Sequence, residues 1–472
     1  MRFETSVQRL LVGILIGFGA VMSAAVYWTV MGPETVLREP INYRLRDAAA
    51  SLVRGEIFDR DGTILVSSIV DDGGFVTRVV ARSALYSLAG YSSRLYGVGG
   101  AEAAYDLILR GADQREDLGE LLEYDLLHLP RQGSDIRLTI DAEVQDAAAA
   151  ALTSIGQPGG AVVMDARTGD LLAVASFPTI DPAVLDSQWA ELVEDPDKPF
   201  VNRATQGQYV LGSGLSMAIL TAWIIDGRSL DDPLDTSATV PDTDCGPGNG
   251  VLTVQDAVVH SCAEYLIEMV EQLGRDKFAA TADLFGLYTP IRLEGFTAGA
   301  GVDPEATTGV TATPDSVGTI QGMLGSIIRS PLELAAMTAA ITNDGNAPQP
   351  VLLDARRAPT ESDWTLIPRE GQQLAVTTAQ TASVIADVMR ASSAGGPSFS
   401  TTCAGTDIGA FIGTSETEDG KQVFFIGFAR LPDGYSVVTA LAIEGLTLVD
   451  APQIASAGNA LLCAALASVA AG

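Results

Sequence analysis

Ala161-Val162-Val163-Met164-Asp165, then Ala166-Arg167-Thr168-Gly169-Asp170, then Leu171-Leu172-Ala173-Val174-Ala175 is the stretch on which the fold class turns. Two apolar runs of strand length around a short polar turn read as a β-hairpin. Just upstream, Ile136 to Ile140 has a strand pattern, and Asp141 is placed to cap an alanine-rich helix from Ala142 to Leu152. Pro158-Gly159-Gly160 breaks that helix before the hairpin begins. Downstream the period changes. Ser216 to Ile225 and Val254 to Leu273 carry apolar residues at helical spacing. Ser330-Pro331 opens a further helix through Ile341, with Pro331 suited to its first turn and Gly345 just beyond its end. Ala379 to Met389 is another helix. Val423 to Phe428 and Tyr435 to Ile443 read as strands, followed by an alanine-rich helix from about Ala451. Strands at both ends with helices between them predict one antiparallel sheet covered by helices, an α+β domain over 135–472.

The section before it is of a different kind. Arg54-Gly55-Glu56-Ile57-Phe58-Asp59-Arg60-Asp61-Gly62-Thr63-Ile64-Leu65 reads as strand, Asp-Gly turn, strand. Tyr86 to Gly111 is mixed and turn-rich, and Asp113 to Asp125 is dominated by acidic residues. Residues 33–134 are therefore expected to form a smaller, β-rich stalk domain. Leu10 to Met31 is an almost unbroken apolar run without a charge, and its 22 residues are enough to cross a bilayer. Arg2 and Arg9 precede it and Glu34 follows, which places the N-terminus in the cytoplasm and the bulk of the chain outside, anchored in the cell membrane by 1–32. The alternative is a cleaved signal peptide cut near Ser23-Ala24-Ala25. The run continues through Val26, Tyr27, Trp28 and Val30, which favours an uncleaved anchor.

Composition narrows the function. Of 472 residues, 47% are hydrophobic, ample for a large core, so disorder is not the default. The net charge of −31 argues against a nucleic-acid partner, which needs a basic stripe. Lysine is scarce: Lys198, Lys277 and Lys421 are the three, so 25 of the 28 basic residues are arginine. The cysteines are Cys245, Cys262, Cys403 and Cys463, which an oxidising compartment would pair in one of three ways. Cys245 and Cys262 are the likeliest local pair by separation. Two histidines, His128 and His260, are too few and too far apart for a metal site, and nothing calls for a cofactor.

Motifs then add up. Arg54-Gly55-Glu56-Ile57-Phe58-Asp59-Arg60-Asp61-Gly62 is similar to the Arg-Gly-x-Ile-x-Asp-Arg-x-Gly opening of class B penicillin-binding proteins. Tyr91-Ser92-Ser93 with Glu102 and Gly111 resembles their next landmark. Gly160 to Asp165, with Gly169 and Ala175-Ser176-Phe177-Pro178, resembles the first hairpin of their transpeptidase domain. Asn202-Arg203-Ala204, Tyr209 and Gly212-Ser213 resemble the approach to the nucleophile. Ser330 to Ala335, Asn343-Asp344-Gly345, Gly413-Thr414-Ser415-Glu416 and Phe425 to Ala429 follow in the family's order. The resemblance, to a short-form member, runs from about Arg54 to the C-terminus and implies a penicillin-binding-protein/serine β-lactamase-like transpeptidase fold.

What the resemblance implies about chemistry is specific. Members of the family transfer peptide bonds through an acyl-enzyme on serine, using Ser-x-x-Lys, Ser-x-Asn and Lys-Thr-Gly. A serine hydroxyl is a poor nucleophile at neutral pH and needs a neighbour to take its proton. The oxyanion hole would be made by the backbone N–H of the nucleophile and of the residue after Lys-Thr-Gly. On this chain the nucleophile maps to Ser213, but the lysine position is Ser216. Ser-x-Asn maps to Ser261-Cys262-Ala263, and Lys-Thr-Gly to Phe411-Ile412-Gly413, with Thr414 and Ser415 next on the binding strand. Both lysines, the asparagine and the threonine are gone. No register restores them: three residues before each lysine stand Asp195, Gly274 and Glu418, and after them Pro199, Phe278 and Gln422.

The expectation is thus a protein of peptidoglycan assembly that is catalytically impaired or inactive, acting as a scaffold or regulator at the membrane. Its expected partners are other cell-wall assembly membrane proteins, such as a lipid-linked glycan polymerase, with peptidoglycan stem peptide or β-lactam as doubtful ligands. An altered serine acyl-transfer mechanism with His260 as substitute base is one alternative. A repurposed extracytoplasmic binding domain is the other.

Overall fold

The computed structural model describes residues 2–30, 52–70, 76–112, 132–235, 251–260, 263–288, 291, 293, 320–369, 373–395, 403, 406–417, 420–447 and 450–471. Contacts divide the chain into two units. One comprises 1–52 and 70–76, the other 53–69 and 77–472.

In the first unit, α1 (Arg2–Val30) is a single 29-residue helix. Its apolar side chains are exposed: Leu11 57%, Ile16 67%, Phe18 69%.

In the second unit, β1 (Ile57–Phe58) turns through Asp59 into β2 (Ile64–Val70). The Asp59 Oδ1 accepts from the N–H of Asp61 at 3.0 Å and of Thr63 at 2.6 Å, closing the expected Asp-Gly turn. β3 (Val76–Val80) follows, then β4 (Asp135–Leu138). Asp141 caps α2 (Ala142–Ile155), accepting from the N–H of Glu143 and Val144. β5 (Gly159–Asp165) and β6 (Leu171–Phe177) are the hairpin. α3 (Ser216–Ile225) and α4 (Pro331–Thr342) are buried nearly all round, and α4 starts with a capping box between Ser330 and Glu333. β7 (Leu353–Arg357), β8 (Thr365–Leu366) and α5 (Ala379–Gly395) lead to β9 (Asp407–Thr417), β10 (Gly420–Arg430) and β11 (Ser436–Glu444). α6 (Ala451–Ala471) closes the chain.

The main sheet has the order β9-β10-β11-β5-β6, antiparallel throughout, so strands from both ends of the domain meet at β11 against β5. Each face has its own core. α2 and α6 cover one side through Val144, Leu152, Ile454 and Leu462 against Val163, Phe425 and Leu441. α3, α4 and α5 cover the other through Leu220, Met337 and Met389 against Val162, Phe424 and Ala440. α6 includes the one stretch among the described residues long and apolar enough to span a membrane, Ala451–Val469, yet its Ile454, Leu461 and Leu462 are buried on the sheet.

A second sheet has the order β8-β7-β4-β1-β2-β3. β1 pairs with β4 in parallel, so segments on both sides of residue 134 share one sheet. The long helix expected over Val254–Leu273 is two, Val254–Val259 and Ala263–Leu273. The apolar spacing survives the break because Ala257, Val258, Leu266 and Met269 enter the same core.

Candidate active site

Tyr209–Val210 pairs with Ile328–Arg329 and delivers the chain to a 3-10 turn, Gly212–Leu215, that runs into α3. The turn rests on the edge strand β9. Gly212 has φ +50°, and a Cβ there would stand 2.3 Å from the Thr414 carbonyl oxygen. At Gly413 a Cβ would stand 2.8 Å from the nitrogen and 2.9 Å from the Cα of Gly214. Two glycines thus let two backbones touch, which brings Ser213 onto Thr414.

Ser213 is 1% exposed. Its Oγ accepts from the Thr414 N–H at 2.7 Å and donates to the Thr414 carbonyl at 3.2 Å. The Ser216 hydroxyl donates to the Ser213 carbonyl at 2.5 Å, one turn back along its own helix. It is committed to backbone and has no proton affinity to offer. Around the turn burial works against charge. It pushes the Tyr209 phenol well above its ordinary value, helped by the nearby Glu444 carboxylate. Burial likewise lowers Arg329 and raises Glu333.

Phe411 pairs with Ile426 across β9 and β10, is 2% exposed, and packs in the α3/α4/α5 core with Phe424 and Phe428. Ile412 points to the opposite face, 3% exposed in the α2/α6 core. Neither offers a side chain to a ligand. Thr414 is half-buried and Ser415 is 8% exposed.

Ser261, Cys262 and Cys245 lie outside the described residues, and so does the expected Cys245–Cys262 pairing. Ala263 begins its helix. His260 ends the preceding one, with Nδ1 2.8 Å from the Asp256 carbonyl. A carbonyl only accepts, so Nδ1 carries the proton there. Both side-chain hydrogen bonds of Ser213 go to Thr414, so none reaches His260. Lys277 pairs with Asp226 at 2.5 Å and Lys421 with Glu416 at 2.9 Å. The described residues include no cluster of His, Cys, Asp and Glu able to hold a metal.

A covalent tie lies elsewhere in the domain. A disulfide joins Cys403, just ahead of β9, to Cys463 on α6, with Cα atoms 5.5 Å apart. The two are 60 residues apart in sequence, and of the three possible pairings theirs is the one that leaves Cys245 and Cys262 to each other.

A family model described as penicillin binding protein transpeptidase domain matches residues 159–460. The chain belongs to that family. The penicillin-binding-protein fold, expected from the motifs, is the fold observed. PbpA of Mycolicibacterium smegmatis, a peptidoglycan D,D-transpeptidase, is 28% identical over 499 aligned residues, 98% of this chain and 99% of that protein. The D,D-transpeptidase domain of a peptidoglycan glycosyltransferase from Eggerthella lenta superposes with TM-score 0.73 at 25% identity, covering 90% of this chain and 100% of that one. An imipenem acyl-enzyme of penicillin-binding protein A from M. tuberculosis gives TM-score 0.73 at 24% identity, covering 88% and 99%, a likeness of fold.

Proposed function

We propose that this penicillin-binding-protein family member serves peptidoglycan assembly as a non-catalytic scaffold or regulator, anchored by α1 with the second unit outside the membrane. One observation carries the reading: among the described residues, both side-chain hydrogen bonds of Ser213 go to the backbone of Thr414, and none goes to a base. On the family's pattern the Thr414 N–H would face the substrate oxyanion, and here the serine's own oxygen takes it. A positioned general base typically supplies about 10²–10⁴ in rate. Catalytic groups that act as a unit fail together, so losing both lysines and the asparagine removes more than one step. An intact backbone hole with an unactivated nucleophile retains only residual rate.

Binding then remains as the function, and α1 and the sheet of β1 to β4 are the surfaces it would use toward other wall-assembly membrane proteins, among them a lipid-linked glycan polymerase. The test is labelling of the full chain by a fluorescent penicillin. No covalent label on the wild type supports the reading. A stable label that disappears in Ser213→Ala overturns it and revives acyl transfer.

A further inference from the structure

A polar recess of about 240 Å³ opens where the second sheet meets the β5/β6 hairpin. Arg60 and Asp61 from the β1–β2 turn, Arg137 and Thr139 from β4 and its end, Asp170 from the hairpin turn and Asp354 from β7 are its walls. Backbone contacts hold these segments together. The Arg60 N–H donates to the Ile140 carbonyl at 2.9 Å, and the Thr139 N–H to the Leu352 carbonyl at 2.8 Å. The Thr139 hydroxyl reaches the Leu171 carbonyl at 2.9 Å and the Val351 carbonyl at 2.8 Å. Every wall residue therefore stands within two residues of one of these contacts, and the cup is formed before any ligand arrives, which lowers the ordering cost of binding.

The charges divide into spent and unspent. Arg137 donates to Asp354 Oδ2 from Nε at 2.9 Å and lies 2.7 Å from it through Nη2. Arg369 pairs with Asp170 at 2.7 Å and stands 3.6 Å from Asp354. That leaves Arg60 and Asp61. Both are exposed, and neither side chain makes a hydrogen bond or ion pair among the described residues. The Arg60 charge still faces inward. Burial pushes the Tyr435 phenol up, the Asp165 and Asp170 carboxylates add to the rise and the Arg60 guanidinium opposes it, so Arg60 and Asp170 act on one hydroxyl.

We propose that this recess binds a free α-amino acid with a small side chain, as its zwitterion. The ligand carboxylate accepts from Arg60 and the ligand ammonium donates to Asp61, two charge-assisted bonds to neighbouring residues. A lone anion would face the three carboxylates of the recess, and a lone cation its two guanidiniums. The interior of a peptide carries neither charge. The volume lies below the ~300–1,000 Å³ of drug-sized pockets, and a large apolar side chain would find no apolar wall. No residue of the Ser213 site takes part. Penicillin labelling reads Ser213, so this proposal and the non-catalytic reading fail separately.

The test is saturation-transfer NMR of glycine with the full chain in detergent at low salt. Saturable binding with Kd of about 0.3–3 mM is expected. Acetate and methylamine each carry one of the two charges and should not saturate up to about 20 mM. Arg60→Gln and Asp61→Asn should each weaken glycine by about 10-fold or more, the worth of a hydrogen bond to a charged group. Both side chains are exposed, so the thermal midpoint should not move. No saturation by glycine up to about 20 mM overturns the proposal. So does an affinity that neither variant changes, or saturation by acetate at the affinity of glycine, which marks a site for anions alone.

Discussion

Two polar constellations sit at motif positions of this chain, and they have met opposite fates. Around Glu102, 2% exposed, all charges are present: Arg54 at 2.8 Å, Arg78 at 2.6 Å, and Asp106 on the other side of Arg54 at 2.7 Å. Burial pulls the Arg78 guanidinium below its ordinary range, with Glu102 opposing. Around Ser213 the expected charges are absent, replaced by the hydroxyl of Ser216 and the buried ring of Phe411. The difference teaches what a buried charge costs when it loses its partner. Removing one member of an ion network strands the others in a low dielectric, so the Glu102 group holds together or not at all. At the positions around Ser213 stand uncharged groups instead: the Ser216 hydroxyl bonds the Ser213 carbonyl, and the Phe411 ring packs in the core.

Breaking the intact cluster should do the most damage. Glu102→Ala takes the carboxylate from Arg78 and leaves Arg54 with Asp106 alone, and we expect a loss of about 3–5 kcal/mol in denaturant unfolding. Phe411→Ala is expected to cost about 3–5 kcal/mol as well, since the ring now fills core; a loss under 1 kcal/mol would return Phe411 to the cleft. Cys463→Ser opens the tie between α6 and the start of β9, with an expected loss of about 2–4 kcal/mol. Ser213→Ala leaves the Thr414 N–H without its acceptor, for about 1–3 kcal/mol. That last value tests whether the serine is kept as a clamp between the turn and β9.

The smallest effect is one of pH. Burial raises Glu333 above the ordinary glutamate value, so the folded state binds its proton more tightly than the unfolded chain does. This contribution is full below the unfolded pKa and is lost as pH rises through the raised folded value. Glu333→Gln should flatten that part of the stability profile. An unchanged slope between acid and neutral pH would show that the carboxylate titrates normally.

Much of this was legible in the chain itself. The β5/β6 hairpin, the Asp141 cap, the Ser330-Pro331 start and the late strands are written in local patterns of turn residues and apolar period. Those signals act over a few residues, so they can be read in order along the sequence. The helix over Val254–Leu273 was read as one because its apolar period does not register the break after Val259.

By itself, the sequence determined the order of elements, the family, and the absence of both lysines, because each is a property of residues at fixed spacing. Only the tertiary structure decided where the leftover groups went. Phe411 had to fall on one face or the other of β9, and strand alternation put it in the core. Cys403, just ahead of β9, is brought to Cys463 on α6, Cα atoms 5.5 Å apart across 60 residues. Ser213 and Thr414 are 201 residues apart, and two glycines facing each other's backbones are what let one hydroxyl close on one amide. Contacts of that kind depend on how sheet and helix approach, which no local pattern encodes.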